Sequence, residues 1–282
     1  MAKERLLTGL IGRGIRESRS PMLHEREADA QGLRLVYSLF DFAELELSED
    51  DLPRMLNALQ LTGFSGVNVT HPYKQTVMRH LDELSSEAEK IGAVNAVSFR
   101  GGRTTGYNTD VSGFAAACRQ GLDGVESDEV VQIGAGGAGS ATAFALLNLG
   151  VKRLSIHDRD EQRATALIDR LVTHFDSGRL ALCRNLPESA ANADGIVNAT
   201  PMGMAEYPGM PVPERSLHQK MWVADIVYFP LETALLSAAR RTGCRVMDGS
   251  GMAVWQAAGA FEIFTGRPAD FTRMSKIFLQ SS

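Results

Sequence analysis

The chain has 282 residues, enough for two cores, and its 44% hydrophobic and 22% charged content is that of an ordinary globular protein. Lys and Arg number 29 against 34 Asp and Glu, interspersed, for a formal net charge of −5, which excludes the basic footprint that nucleic acid demands. No apolar run approaches membrane-spanning length, and MAKERLLTGLIG lacks the core and cleavage residues of a signal peptide; Cys118, Cys183 and Cys244 are too scattered for a disulfide frame or metal site. The expectation is a cytoplasmic protein, monomer or homodimer, acting without metal, membrane or nucleic acid.

In chain order, RLLTGLIG reads as a strand, SPMLHEREADAQG as a helix and RLVYSLFDF as a strand. SEDDLPRMLNALQLTG is a helix with an acidic start that suits its macrodipole. FSGVNVT, AVNAVSF and RTTGYNT supply three more strands, and DVSGFAAACRQGL is a helix leading onward. VVQI is a short apolar strand before a glycine turn and a helix that ends at Gly150. Strand RLSIHDRD follows, then helix EQRATALIDRLVTHF, with Ala164, Leu167, Ile168, Leu171, Val172 and Phe175 on one face. Strands LALC, GIVNAT and WVADIVY, helix TALLSAARRT and strand CRVMDG complete an alternation that predicts parallel pairing. The fold class is therefore α/β with two domains. Residues 120–249 form a doubly wound Rossmann dinucleotide-binding domain; residues 1–110 form an α/β substrate domain, with helices in 250–282 packing back on it. A cleft between the halves is the expected place for chemistry.

IGAGGAG places Gly134, Gly136 and Gly139 in G-x-G-x-x-G spacing after a strand and at the start of a helix, the context in which the motif cradles a pyrophosphate. With Ala135, Gly137 and Ala138 these residues are the expected phosphate loop. Asp158 ends the next strand at the distance suited to an adenosine ribose, and Arg159 beside it is suited to a phosphate; Asp160 reads as a helix cap. In GVNVTHPYK a strand runs into Thr70 and Lys74, and GYNTD places Asn108 and Asp110 at another strand end. A lysine is more often a surface residue and such an aspartate an N-cap. Yet Asn68, Thr70, Lys74, Asn95, Asn108 and Asp110 together are a large polar set at strand ends, where α/β sheets bind ligands. A lysine beside an aspartate can take and return a proton. His24 and His71 are read as packed or structural residues.

SRSPMLH, NVTHPYK, GAVNAV, GYNTDVSGF, NATPMGM and DGSGMAVWQAAGAF occur in that order over nearly the whole chain. Together they resemble the shikimate dehydrogenase family, and most of all its NAD-dependent quinate/shikimate branch. The resemblance implies a catalytic pair, Lys74 and Asp110. It implies a carboxylate site at Ser18 and Ser20 with Tyr228, and ring-hydroxyl contacts at Thr70, Asn95 and Gln256. Cofactor contacts would extend to Thr200, Val227 and Gly251. The serines also suit an N-cap before Pro21. Two departures stand out: Ala96 replaces the family's Thr, removing a hydroxyl near the substrate contacts, and HDRD replaces the Asn-Arg-Thr of NADP users. The expected activity is NAD-dependent oxidation of shikimate or quinate, a cyclic polyhydroxy carboxylate, with weaker use of NADP. A biosynthetic NADP enzyme is the alternative within the family; a non-catalytic nucleotide sensor of the same fold is the alternative outside it.

Overall fold

The computed structural model describes residues 5–280. The chain divides into two compact units, Met1–Thr109 with Val254–Ser282, and Asp110–Ala253.

The first unit begins with β1 (Arg5–Gly12), α1 (Ser20–Ala30), β2 (Arg34–Asp41), α2 (Leu52–Leu61) and β3 (Gly66–Val69), and continues with β4 (Glu83–Leu84), α3 (Ser86–Ile91), β5 (Ala96–Arg100) and β6 (Arg103–Tyr107). Its sheet runs β2-β1-β3-β5-β6-β4. β1 is parallel to β2 and β3, as helical crossovers require, but β5 is antiparallel to both β3 and β6. The β5–β6 reversal has a local cause: Gly101 and Gly102, with φ of 59° and 76°, close a two-residue hairpin between them. α2 starts after the Ser48–Asp51 capping box and buries Leu52, Leu56 and Leu59 at helical spacing. They share a core with Val67 and Val69, one side of β3.

The second unit opens with α4 (Asp110–Gly121) and continues through β7 (Glu129–Ile133), α5 (Gly137–Asn148), β8 (Arg153–His157), α6 (Glu161–Leu171) and β9 (Leu180–Leu182). Then come α7 (Leu186–Ala191), β10 (Gly195–Asn198), β11 (Trp222–Asp225), α8 (Ala234–Thr242) and β12 (Arg245–Met247). Its six strands are all parallel in the order β12-β11-β10-β7-β8-β9, so the winding reverses between β7 and β10. α6 is shorter than its apolar stripe: Ala164, Leu167 and Leu171 are buried, but Val172 lies past the last turn and is exposed. The three cysteines are buried, and burial pushes the Cys118 thiol up to about 12, so they pack as small apolar groups.

α9 (Ser250–Thr265) and α10 (Phe271–Leu279) complete the chain. From Val254 onward they belong to the first unit, where Phe261 joins Leu10, Leu35 and Tyr37 in its second core. Glu27 of α1, its side chain 0% exposed, accepts from Arg273 Nε at 2.6 Å and from the Asp270 N–H at 2.9 Å. Burial alone would raise its pKa; the bonds from Arg273, Asp270 and Gln31 outweigh that and hold the carboxyl below its usual range.

One turn earlier, His24 is buried against Tyr37, Phe261 and Phe264, with ring centroids 4.7, 6.0 and 6.0 Å away. Neither ring nitrogen has a partner among the described residues, and burial pushes the pKa down from 6.5 to about 3. The unfolded chain therefore takes up this proton first. His24 withdraws stability as pH falls from 6.5 toward 3, by about 1.4 kcal/mol per pH unit. Urea unfolding of the His24→Phe protein across this acid range is expected to show a shallower loss of stability than wild type; parallel curves would mean that His24 is not the acid-sensitive group.

Candidate active site

The polar candidates of the first unit lie at or just beyond strand ends. β3 alternates Val67 and Val69 toward α2 with Asn68 away from it. Thr70 follows β3; its N–H donates to the Ile11 carbonyl at 2.9 Å, and Gly12 has no side chain because a Cβ would meet the Thr70 methyl at 2.5 Å. Four residues on, half-buried Lys74 is fixed at its backbone, whose carbonyl accepts from the Val94 N–H at 2.8 Å.

Asn95, immediately before β5, is the hub. Its Nδ2 donates to Thr109 Oγ1 at 2.9 Å and to Gln256 Oε1 at 3.4 Å, while its Oδ1 accepts from the Thr109 N–H at 2.8 Å. Thr109 Oγ1 in turn donates to the Gln256 carbonyl at 2.9 Å. Asn95, Thr109 and Gln256 are thus brought together from β5, the end of β6 and α9. Thr109, not anticipated, is the third member of this set, and its place directly before Asp110 was the available signal. Asn68 and Asn108, by contrast, bond the scaffold: Asn68 Nδ2 donates to the Asn95 carbonyl and Asn108 Nδ2 to the Ala93 carbonyl. Ala96 packs with Ala260 and Phe264 in an apolar cluster.

Ser18 and Ser20 face each other, with Oγ atoms 3.2 Å apart, and Ser18 Oγ accepts the Ser20 N–H at 3.3 Å. Arg19 occupies the cap position of α1 without a side-chain cap bond, while Ser18 Oγ takes the N–H of Ser20, the first helical residue, as a capping side chain does.

In the second unit, Asp110 is the first residue of α4 and is buried. The glycine loop divides its work. Gly134 has φ 107° and lies where a Cβ would meet the Ala199 carbonyl oxygen at 2.6 Å; a Cβ on Gly139 would meet the Gly134 oxygen at 2.3 Å. Both are backbone contacts that only glycine permits. A Cβ on Gly136, the N-cap of α5, would meet nothing within 4 Å. That open side, above the first-turn N–H groups of Gly137, Ala138 and Gly139, suits an anion. Asp158 closes on this loop: one carboxylate oxygen accepts the Ala135 N–H at 2.8 Å, the other the Asp160 N–H at 3.0 Å. Lone pairs remain for hydroxyl donors. Asp160 caps α6 through Gln162 and stands 3.6 Å from Arg163; Arg159 is exposed.

The loops after β10 and β11 are tied by a residue the sequence did not single out. Buried Asp225 accepts from Asn198 Nδ2 at 2.9 Å, the Val227 N–H at 3.0 Å and Thr233 Oγ1 at 2.8 Å. Burial raises its pKa to about 6 in spite of these donors. Asn198 Oδ1 also accepts from Thr200 Oγ1 at 2.6 Å, so Thr200 and Val227 share one anchor. The available signal was a carboxylate closing the apolar strand VAD. Tyr228 follows, exposed. Gly251 sits where a Cβ would meet Ala117 of α4 at 3.2 Å, a helix-packing contact. Among the described residues there is no cluster of His, Cys, Asp and Glu able to hold a metal, and no helix long and apolar enough to cross a membrane.

A family model described as the shikimate dehydrogenase substrate binding domain matches residues 10–97. Another, shikimate / quinate 5-dehydrogenase, matches 116–206, and a shikimate 5'-dehydrogenase C-terminal domain matches 249–276. Shikimate dehydrogenase (NADP(+)) of Streptomyces avermitilis is 50% identical, over 97% of this chain and 95% of its own. Quinate/shikimate dehydrogenase (NAD(+)) of Corynebacterium glutamicum strain R is 47% identical, over 97% and 98%. The structure of quinate dehydrogenase from Corynebacterium glutamicum in complex with NAD superposes with a TM-score of 0.91 at 45% identity, covering 99% of this chain and 100% of that one.

Proposed function

The chain belongs to the shikimate dehydrogenase family of NAD(P)-dependent alcohol oxidoreductases, and from that premise we propose that it oxidises quinate, shikimate or both to the 3-dehydro acid with NAD as the preferred cofactor. The observation that carries the substrate side is the closed set Asn95, Thr109 and Gln256, in the same unit as β3, which leads into Thr70 and Lys74. Rigid amides and hydroxyls held in this way suit a ring bearing several alcohols. In this reading Thr70, Asn95 and Gln256 hold the ring hydroxyls. Ser18 and Ser20, with Tyr228, hold the carboxylate. Lys74 takes the proton from the reacting hydroxyl, or returns it in the reverse direction, and Asp110 orients and tunes the lysine.

The second unit fits a dinucleotide. Gly134, Ala135, Gly136, Gly137, Ala138 and Gly139 would hold the pyrophosphate at the α5 N-terminus, and Asp158 with Arg159 the adenosine ribose. Thr200, Val227 and Gly251 would hold the nicotinamide end. When bound, the cofactor supplies the hydride acceptor. The preference for NAD rests on Asp158, a carboxylate where a 2′-phosphate would have to sit.

The test is the appearance of reduced nicotinamide from quinate and from shikimate with each cofactor. Turnover of neither acid would sink the substrate assignment. A competing reading, NADP with shikimate, draws on the relatives at 48–50% identity named as NADP(+) enzymes, and predicts equal or higher kcat/KM with NADP.

A further inference from the structure

We propose that Tyr37 is a positioning residue for the substrate site, acting through the side chain of Asn68; this rests on the reading above, in which Asn95 and Gln256 hold the substrate. Tyr37 lies on β2 at the edge of the first unit's sheet, separated by β1 from β3. Its ring is buried, and its hydroxyl donates to Asn68 Oδ1 at 2.8 Å. Asn68 Nδ2 donates to the Asn95 carbonyl at 3.0 Å, which also accepts the Val69 N–H at 2.9 Å.

Each link has a defined sense. The Asn95 carbonyl can only accept, so the Asn68 amide must present its NH2 there and its oxygen toward Tyr37. The phenol then completes the amide with a donor. Two donors on one carbonyl fix the Asn95 peptide plane, and the Asn95 N–H is held as well, donating to the Tyr107 carbonyl at 3.0 Å. With the backbone fixed at both ends, the Asn95 side chain is aimed at Thr109 and Gln256. The wiring therefore runs from β2 through β3 and β5 to α9, crossing the sheet beneath the substrate residues. At its far end the Tyr37 ring packs on His24 of α1, the helix that begins at Ser20. One phenol thus links the helix of the carboxylate serines to the residues assigned to the ring hydroxyls.

Without the hydroxyl, Asn68 Oδ1 is left buried and short of a donor, and its amide no longer has a single preferred orientation. Tyr37→Phe keeps the ring and its packing. It is expected to raise KM for the turned-over acid by about tenfold, the scale of one lost hydrogen bond, with a smaller change in kcat and none in cofactor KM. Amide hydrogen exchange supplies a second measure that needs no turnover. The Thr109 and Val69 amides, which donate to Asn95, are expected to exchange faster, while Leu56 and Leu59 in α2, on the opposite face, keep wild-type rates. Asn68→Ala must reproduce both effects with Tyr37 in place, and adding Tyr37→Phe to it must change little more, because the two act in series.

An acid KM within about twofold of wild type would overturn the proposal, as that lies inside the scatter of unrelated sites. So would exchange that rises equally in α2, which marks general loosening, or single effects that multiply in the double variant. If wild type turns over neither acid, the functional reading falls alone, and exchange at Thr109 still decides the wiring. If Tyr37→Phe does not fold, Asn68→Ala alone gives both readouts.

Discussion

Lys74→Ala is expected to lower kcat at least about a hundredfold, the usual scale of general acid–base catalysis, while cofactor KM stays near wild type. A lysine that receives the alcohol proton acts while charge develops on the oxygen, so its loss falls on kcat and kcat/KM together. Alanine retains the Lys74 carbonyl, to which the Val94 N–H donates, so that backbone contact survives the change. Asp110→Asn should act in the same direction. If the two side chains work as a unit, the double variant will fall well short of the product of the single effects. Steady-state kinetics on quinate and shikimate decide it. A Lys74→Ala enzyme within a few-fold of wild type would remove the lysine from the mechanism, and multiplicative losses would separate it from Asp110.

The second large effect concerns cofactor choice. The Asp158 carboxylate sits on the phosphate loop through the Ala135 N–H and can accept from ribose hydroxyls. A 2′-phosphate would bring negative charge against it. Two unit charges about 4 Å apart repel by roughly 4 kcal/mol at an effective dielectric near 20, and solvent at this half-exposed position lowers that. The expected preference for NAD is about 1–3 kcal/mol, roughly tenfold to a hundredfold in kcat/KM. Asp158→Asn with Asp160→Thr should move the preference toward NADP by releasing Arg159 for the phosphate. The structure makes the second substitution mild, since Asp160 is the N-cap of α6 and threonine also caps. The first is less so: asparagine has one acceptor oxygen for the two N–H groups that Asp158 now satisfies. Measured ratios for both cofactors before and after the exchange settle the matter; an unchanged ratio would mean that Asp158 does not discriminate.

What could be read from the sequence was local. The glycine loop, the Asp160 cap and the strand–helix alternation of the second unit depend on neighbours within a few residues, and they stand as expected. The β5–β6 hairpin was also written locally, in Gly101-Gly102, but the alternation rule obscured it and the mixed sheet of the first unit went unread. β4, α3 and α7, of two, six and six residues, are too short to show a period. At the site, the sequence identified polar residues at strand ends but could not divide them. Asn68 and Asn95 look alike in a string of letters. Only the tertiary structure shows that one amide holds a neighbouring carbonyl while the other gathers Thr109 and Gln256. The packing of Ala96 was hidden for the same reason, because its partners Ala260 and Phe264 are on α9, far along the chain.

The partnership of Glu27 with Arg273 and Asp270 bears on how the protein is made. Translation delivers α1, β2 and β3 early, but the residues that cover His24 and neutralise Glu27 arrive only after Asp110–Ala253 has been synthesised. At the usual rate of elongation that interval is on the order of ten seconds. Throughout it Glu27 lacks Arg273 and Asp270, and His24 lacks Phe261 and Phe264, whereas the second unit, continuous in sequence, has every strand it needs. The portion of the chain that leaves the ribosome first is thus the one that finishes folding last.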